Sequence, residues 1–152
     1  MKALKLVLAG AAVIAFAGIG LAQNTGKTVI SSPNAPEAIG PYSQAIRVGN
    51  TVYLAGQVAI DPKTKKMMSS ASIEDQTKQV LDNLKAVLEA DGLTLDNGVS
   101  TSVFLQDLND FKAMNGIYAT YFTKAPPARA TVQVARLPLD AKVEISAIAV
   151  KP

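Results

Sequence analysis

The sequence predicts an α+β domain: one β-sheet with two helices on one face, in the order βββαβαββ. Two segments, 72–90 and 110–122, repeat apolar residues at helical spacing. Six shorter segments are β-branched runs or alternate apolar with polar residues, as strands do. Two amphipathic helices set among six strands have one economical solution, a layer of helices laid on a layer of sheet.

The elements follow in order. Residues 27–31, KTVIS, predict a first strand, and SPNAPEAIGPYS, rich in Pro and Gly, a shaped loop. Residues 44–48 and 51–55 flank Gly49-Asn50 and predict a hairpin. IDPKTKKMMSS reads as a turn-rich connector. In 72–90, Ser72 is placed to cap the helix, Ile73, Val80, Leu81, Leu84, Val87 and Leu88 form one stripe, and Gly92 stops it. Residues 99–105 predict a strand. In 110–122, Phe111, Met114, Ile117, Tyr118 and Tyr121 recur at helical spacing. Residues 130–135 and 142–150 predict two closing strands. The last is apolar on both faces, Val143, Ile145, Ala147 and Ala149 on one, Ile148 and Val150 with Glu144 and Ser146 on the other. A strand apolar on both sides is buried on both sides. The second cover is expected to be another copy of the chain.

Residues 1–22 carry Lys2 and Lys5, then an apolar stretch from Leu6 to Ala22 that ends in small residues. This is the pattern of a secretory signal peptide cleaved after Ala22, which leaves a domain at 23–152 that is periplasmic or secreted, with no stable membrane association. An uncleaved anchor is the rival, at the short end of the spanning range.

The chain contains no His and no Cys. That excludes Ser-His-Asp and Cys-His catalysis, disulfides and zinc sites built on those ligands. Without the two leader lysines, the 15 basic and 12 acidic residues become 13 and 12. No basic stripe marks a nucleic-acid partner.

Several side chains invite chemistry. Arg129 is one of three arginines in a lysine-preferring chain. It reads either as a surface residue or as a planar fork for a substrate carboxylate. Glu144 interrupts a largely apolar strand and reads as a solvated edge residue or as a carboxyl group in a pocket wall that holds a water. Tyr42, in a rigid Gly-Pro loop, is filler or a wall with a hydroxyl handle. Asn115 is a solvated helix residue or a polar group aimed into a pocket.

AIGPYSQAI (38–46), LAGQ (54–57), VFLQDLNDF (103–111), PARATVQVARLP (127–138) and VEISAIAV (143–150) resemble the RidA family, also called YjgF. The resemblance runs from about Ile30 to Val150. It implies a chorismate-mutase-like subunit, a homotrimer with clefts between subunits, and no metal or organic cofactor. The implied activity is hydrolysis of 2-enamine and 2-imine acids, such as 2-aminoacrylate, 2-iminopropanoate and 2-iminobutanoate, to 2-keto acids and ammonia. By this resemblance Arg129 grips the substrate carboxylate, Glu144 positions the attacking water, and Tyr42, Gly56 and Asn115 line the cleft. Thr131, a substrate-binding residue by the same resemblance, stands where a Cys is frequent, Ala55 where many members carry Ser, and Ser146 where a second Glu is common. Two rival readings are a non-catalytic binder of small carboxylic acids, acting as a sensor through the same cleft, and a chaperone-like holdase or RNA-cleaving role, which the resemblance also implies.

Overall fold

A computed structural model of the chain describes residues 26–152. The expected leader, 1–22, lies outside the described residues. The elements are β1 (Lys27–Ile30), β2 (Ala45–Val48), β3 (Thr51–Gln57), β4 (Ile60–Asp61), β5 (Lys66–Met67), α1 (Ile73–Glu89), β6 (Gly98–Leu105), α2 (Phe111–Tyr121), β7 (Ala128–Gln133) and β8 (Val143–Val150). Six strands form one sheet in the order β1-β2-β3-β8-β6-β7, antiparallel except for the parallel pair β6–β7. Both helices pack on one face of it.

Local chemistry explains most boundaries. The Ser72 hydroxyl accepts the Asp75 N–H at 3.1 Å and starts α1. Past its C-terminal end, Gly92 turns left-handed at φ +72°. There the Leu93 N–H reaches the Leu88 carbonyl and the Gly92 N–H the Glu89 carbonyl, both at 3.0 Å. That is a Schellman closure, and it needs a residue tolerant of positive φ. In the β2–β3 hairpin only Gly49 of the two turn residues has positive φ, as when Gly takes the first turn position.

Two expectations need correction. The connector after β3 contains a two-stranded hairpin, β4–β5, where a plain turn region is expected. The Asp61 carboxylate accepts the Lys63 N–H at 2.8 Å and closes the turn, a local Asx geometry that alternation of apolar residues does not register. The strand expected at 130–135 runs instead from Ala128 to Gln133. Its parallel ladder with β6, from Ser100–Ala128 to Leu105–Gln133, sets the frame. Arg129 therefore lies inside the strand rather than at its mouth.

The core lies between the sheet and the helices. Val80, Leu81, Leu84 and Leu88 of α1 and Met114 of α2 meet Val103 and Leu105 of β6 and Val143 and Ile145 of β8, all buried. Each such side chain contributes about 1.5–3 kcal/mol. Three buried polar residues also lie on α1. Gln76 donates to the Met68 carbonyl at 3.0 Å and accepts the Lys142 N–H at 2.9 Å. Asn83 donates to the carbonyls of Val58 and Ile60 at 3.2 and 3.0 Å. Thr77 bonds back to the Ile73 carbonyl at 2.7 Å. The two amides fasten the irregular segments around β3 and the start of β8 to the helix, replacing ladder bonds those segments lack.

The other sheet face is uncovered in the single chain. Register places Val29, Ile46, Tyr53, Ile148, Ser100 and Ala128 in one row across all six strands. Val29, Val48, Tyr53, Val132 and Val150 are exposed.

Candidate active site

Register settles which face each candidate residue occupies, because directly paired residues point the same way. Arg129 pairs with Thr101, and Thr101 with Ala147, both buried under the helices. Arg129 thus ends a core row at the edge strand. Glu144 pairs with Phe104, and Phe104 with Val132, on the uncovered face. Within one chain Arg129 and Glu144 therefore lie on opposite faces of the sheet.

The Arg129 side is built by α2 and the segment leading into β7. The guanidinium carbon lies 4.5 Å from the Tyr118 ring centroid and 5.9 Å from that of Phe111. Cation–π attraction holds the fork over the Tyr118 face. Among the described residues no carboxylate pairs with it, so its N–H donors stay available to a ligand. Tyr118 is itself fixed, its hydroxyl 2.8 Å from that of Thr101. Burial raises its pKa, against the opposing pull of the Thr101 bond and the Arg129 charge. Arg129, Asn115, Tyr118, Phe122, Pro126 and Pro127 line an open cleft of ≈ 530 Å³. Asn115 and Tyr118 are three apart on a helix and share a face, so the spacing that marks Asn115 also marks Tyr118.

The Glu144 side is built by β3, β8 and two loops. Tyr42, Gly56 and Glu144 line a second cleft of ≈ 390 Å³, together with Ile39, Ala55, Val58 and Pro138. Gly56 sits where β3 shifts register against β8. A β-carbon there would collide with the Glu144 carboxyl group. The absent side chain thus lets the carboxyl lie against bare backbone, and any larger residue would make Glu144 shift. Its pKa is raised by burial, and no cation among the described residues offsets the effect. Gly56→Ala is expected to displace the Glu144 carboxyl while the chain stays folded, and with Glu144 in the role that the resemblance implies, kcat falls by about 10-fold or more. Steady-state kinetics alongside a thermal melt would check this.

The structure therefore gathers Asn115 and Arg129 at one cleft, and Tyr42, Gly56 and Glu144 at the other. Thr131, expected to bind substrate, lines neither. Its hydroxyl is closed off from solvent and has no hydrogen-bond partner among the described residues. Thr131 points to the helix side, opposite Val103, which a reading by distance from Arg129 alone does not reveal. The apolar walls Ile39, Val58, Phe122, Pro126, Pro127 and Pro138 escape a search for reactive groups, since each is an ordinary core or loop residue type.

Comparison with known proteins matches residues 32–151 to the family profile described as Endoribonuclease L-PSP. A RutC family protein of Pyrococcus horikoshii is 53% identical over 125 residues, 82% of this chain and 98% of that protein. Reactive Intermediate Deaminase A, chloroplastic, of Arabidopsis thaliana is 45% identical over 160 residues, 95% of this chain and 85% of its own. A 2-iminobutanoate/2-iminopropanoate deaminase of Dermatophagoides farinae is 46% identical over 124 residues, 82% and 96% of the two chains. Among solved structures, E. coli TdcF with bound serine matches with a TM-score of 0.78 and 41% identity, covering 82% of this chain and 99% of that one. The chain belongs to the L-PSP family, the RidA (YjgF) family that its sequence motifs resemble.

Proposed function

We propose that the protein hydrolyses reactive 2-imine and 2-enamine acids to 2-keto acids and ammonia, at sites that two chains complete together. One observation carries the reading. A guanidinium fork with no carboxylate partner among the described residues and a carboxyl group with no offsetting cation among them each face an open cleft, on opposite faces of the same sheet. Each cleft holds half of what the reaction needs. The deaminase relatives and the serine-bound TdcF structure support a small amino-acid-derived substrate.

In this reading the substrate carboxylate docks on Arg129 through two parallel N–H···O bonds. Asn115 supplies a further polar contact and Tyr42 walls the opposite side. An enamine first takes a proton from solvent on its terminal carbon and becomes the iminium ion; an imine reaches the same ion by protonation on nitrogen. Glu144, as carboxylate, takes a proton from water as the water oxygen bonds to the iminium carbon and the C=N π pair moves to nitrogen. The product is a neutral carbinolamine. Glu144 returns the proton to nitrogen, the C–N bond breaks with its electron pair leaving on ammonia, and the hydroxyl gives its proton to solvent as the ketone forms. Water and imine are consumed; keto acid and ammonia leave. Burial, by raising the Glu144 pKa, makes this carboxylate a stronger base than a solvated one. Imines hydrolyse readily, so orientation and one positioned base are enough.

A homotrimer is part of the proposal. The row of exposed apolar residues on the uncovered sheet face supports burial against copies of the chain. Different patches meeting around a closed ring would join the Arg129 cleft of one copy to the Glu144 cleft of the next. The leader-like residues 1–22 make this an exported form of the activity. RNA cleavage, suggested by the family description, finds little support in the charges. Arg47, Lys65, Lys78, Lys85, Lys124, Arg136 and Lys151 are ion-paired with acidic side chains.

The test is a competition assay. An amino-acid oxidase generates imines, semicarbazide traps them, and added protein diverts imine to keto acid. Wild-type protein is expected to cut the trapped product sharply. An assembled protein that leaves the trapping curve identical to the blank would overturn the deaminase reading. Retained binding of small carboxylic acids would then favour a sensor.

A further inference from the structure

We propose that Gln44 is the positioning residue of the Glu144 cleft, holding Tyr42 and Ile39 in place through the backbone of the loop that carries them. This rests on the deaminase reading above.

The loop between β1 and β2 cannot order itself. Pro33, Pro36 and Pro41 lack an N–H, and two backbone bonds join its residues to one another: Ala35 to Ser32 at 3.4 Å and Tyr42 to Gly40 at 2.8 Å. Ile39 and Tyr42 are 62% and 47% exposed in the chain, so packing within one chain does not hold them either. Their mutual contact is one bond, the Ile39 N–H to the Tyr42 hydroxyl at 3.2 Å.

Gln44 supplies what the loop lacks. Only 5% exposed, its amide nitrogen donates to the carbonyls of Pro36 at 2.7 Å and Ser32 at 3.1 Å, with Ala35 at 3.4 Å. Its amide oxygen accepts the Ser32 N–H at 2.6 Å. Its backbone carbonyl accepts the Ala55 N–H at 2.9 Å. One residue thus ties the start and middle of the loop to the strand position beside Gly56. Glutamine suits the role because a primary amide carries two donors and an acceptor. Glutamate is nearly isosteric but would turn an oxygen toward those carbonyls.

The experiment uses the full chain with Gln44→Glu and, as a neutral second variant, Gln44→Met. The readouts are kcat and KM in the imine competition assay, and backbone hydrogen exchange. For both variants, amides of residues 31–43 are expected to exchange at least tenfold faster while those of α1 keep their protection. KM is expected to rise roughly tenfold with a smaller change in kcat, in line with the loss of a buried hydrogen-bonded group. A purely structural role would lower the melting temperature without moving KM of the folded protein. Folded variants with wild-type loop exchange and KM within twofold would overturn the assignment. So would failure of both variants to fold, which would make Gln44 a folding determinant. If wild-type protein turns over no imine, the deaminase reading fails by itself; unchanged loop exchange in the variants would then separately overturn the clamp.

Discussion

An equal mixture of Arg129→Ala and Glu144→Gln chains, unfolded and refolded together, is expected to recover about a quarter of wild-type turnover if a closed ring joins the two clefts at random. Each variant alone is expected to be nearly inactive. In the proposed mechanism, removing Arg129 strips the substrate carboxylate of a charge-assisted pair, an effect of roughly 100-fold or more in kcat/KM, and removing the Glu144 carboxylate eliminates the base. In the mixture, some interfaces take Arg129 from one variant and Glu144 from the other, and those sites are intact. Within one chain the two side chains lie on opposite faces of the sheet, by the Arg129–Thr101–Ala147 and Glu144–Phe104 registers. A mixture no more active than the sum of its pure components, despite verified chain exchange, would sink the shared-site proposal. A single chain active in dilute, unassembled form would do so as well.

Glu144→Gln should separate catalysis from stability. Loss of a positioned general base is expected to lower kcat by about 100-fold to 10,000-fold. Stability is expected to move the other way. Burial raises the Glu144 pKa above its ordinary value of 4.5, so the folded chain holds this proton more tightly than the unfolded chain does. As pH rises from 4.5 through the raised value, the folded state loses stability, and the full penalty persists above that. The variant carries no such penalty, because a glutamine side chain never ionises. Melts of the two proteins should therefore coincide in acid and diverge toward neutrality, with the variant the more stable. If the variant is instead the less stable one at neutral pH, Glu144 has a stabilising partner in the assembly, and the Arg129 of a neighbouring copy is the cation that the proposed ring would supply.

Much of the fold is legible in the sequence, for identifiable reasons. The Ser72 cap, the Val80–Leu88 stripe and the Gly92 stop are local features, and α1 forms between them as expected. The Gly49-Asn50 hairpin forms for the same reason. The Asp61 turn escapes the pattern because it rests on one side-chain bond. The frame of β7 escapes it because its partner, β6, lies a helix away in sequence. Among site candidates, Arg129 and Glu144 stand out as charges in strand-like runs, and Asn115 as a polar residue on an apolar helix. Gln44, Gln76 and Asn83 do not stand out. Their work is to satisfy backbone groups of segments far from them in the chain, and nothing in their immediate neighbours announces it.

Period, capping and composition act over a few residues, so the two helices, the cap and stop of α1, the strand count of the main sheet and the reactive groups on offer are legible in the chain before it folds. The tertiary structure decided that Arg129 and Glu144 face opposite sides of the sheet, that Thr131 turns inward and that Gly56 makes room for a carboxyl group. Those outcomes depend on the pairing of β3, β8, β6 and β7. A slip of one residue in a ladder exchanges the faces, and β7, exposed along most of its length at the edge of the sheet, carries no local alternation that encodes that parity.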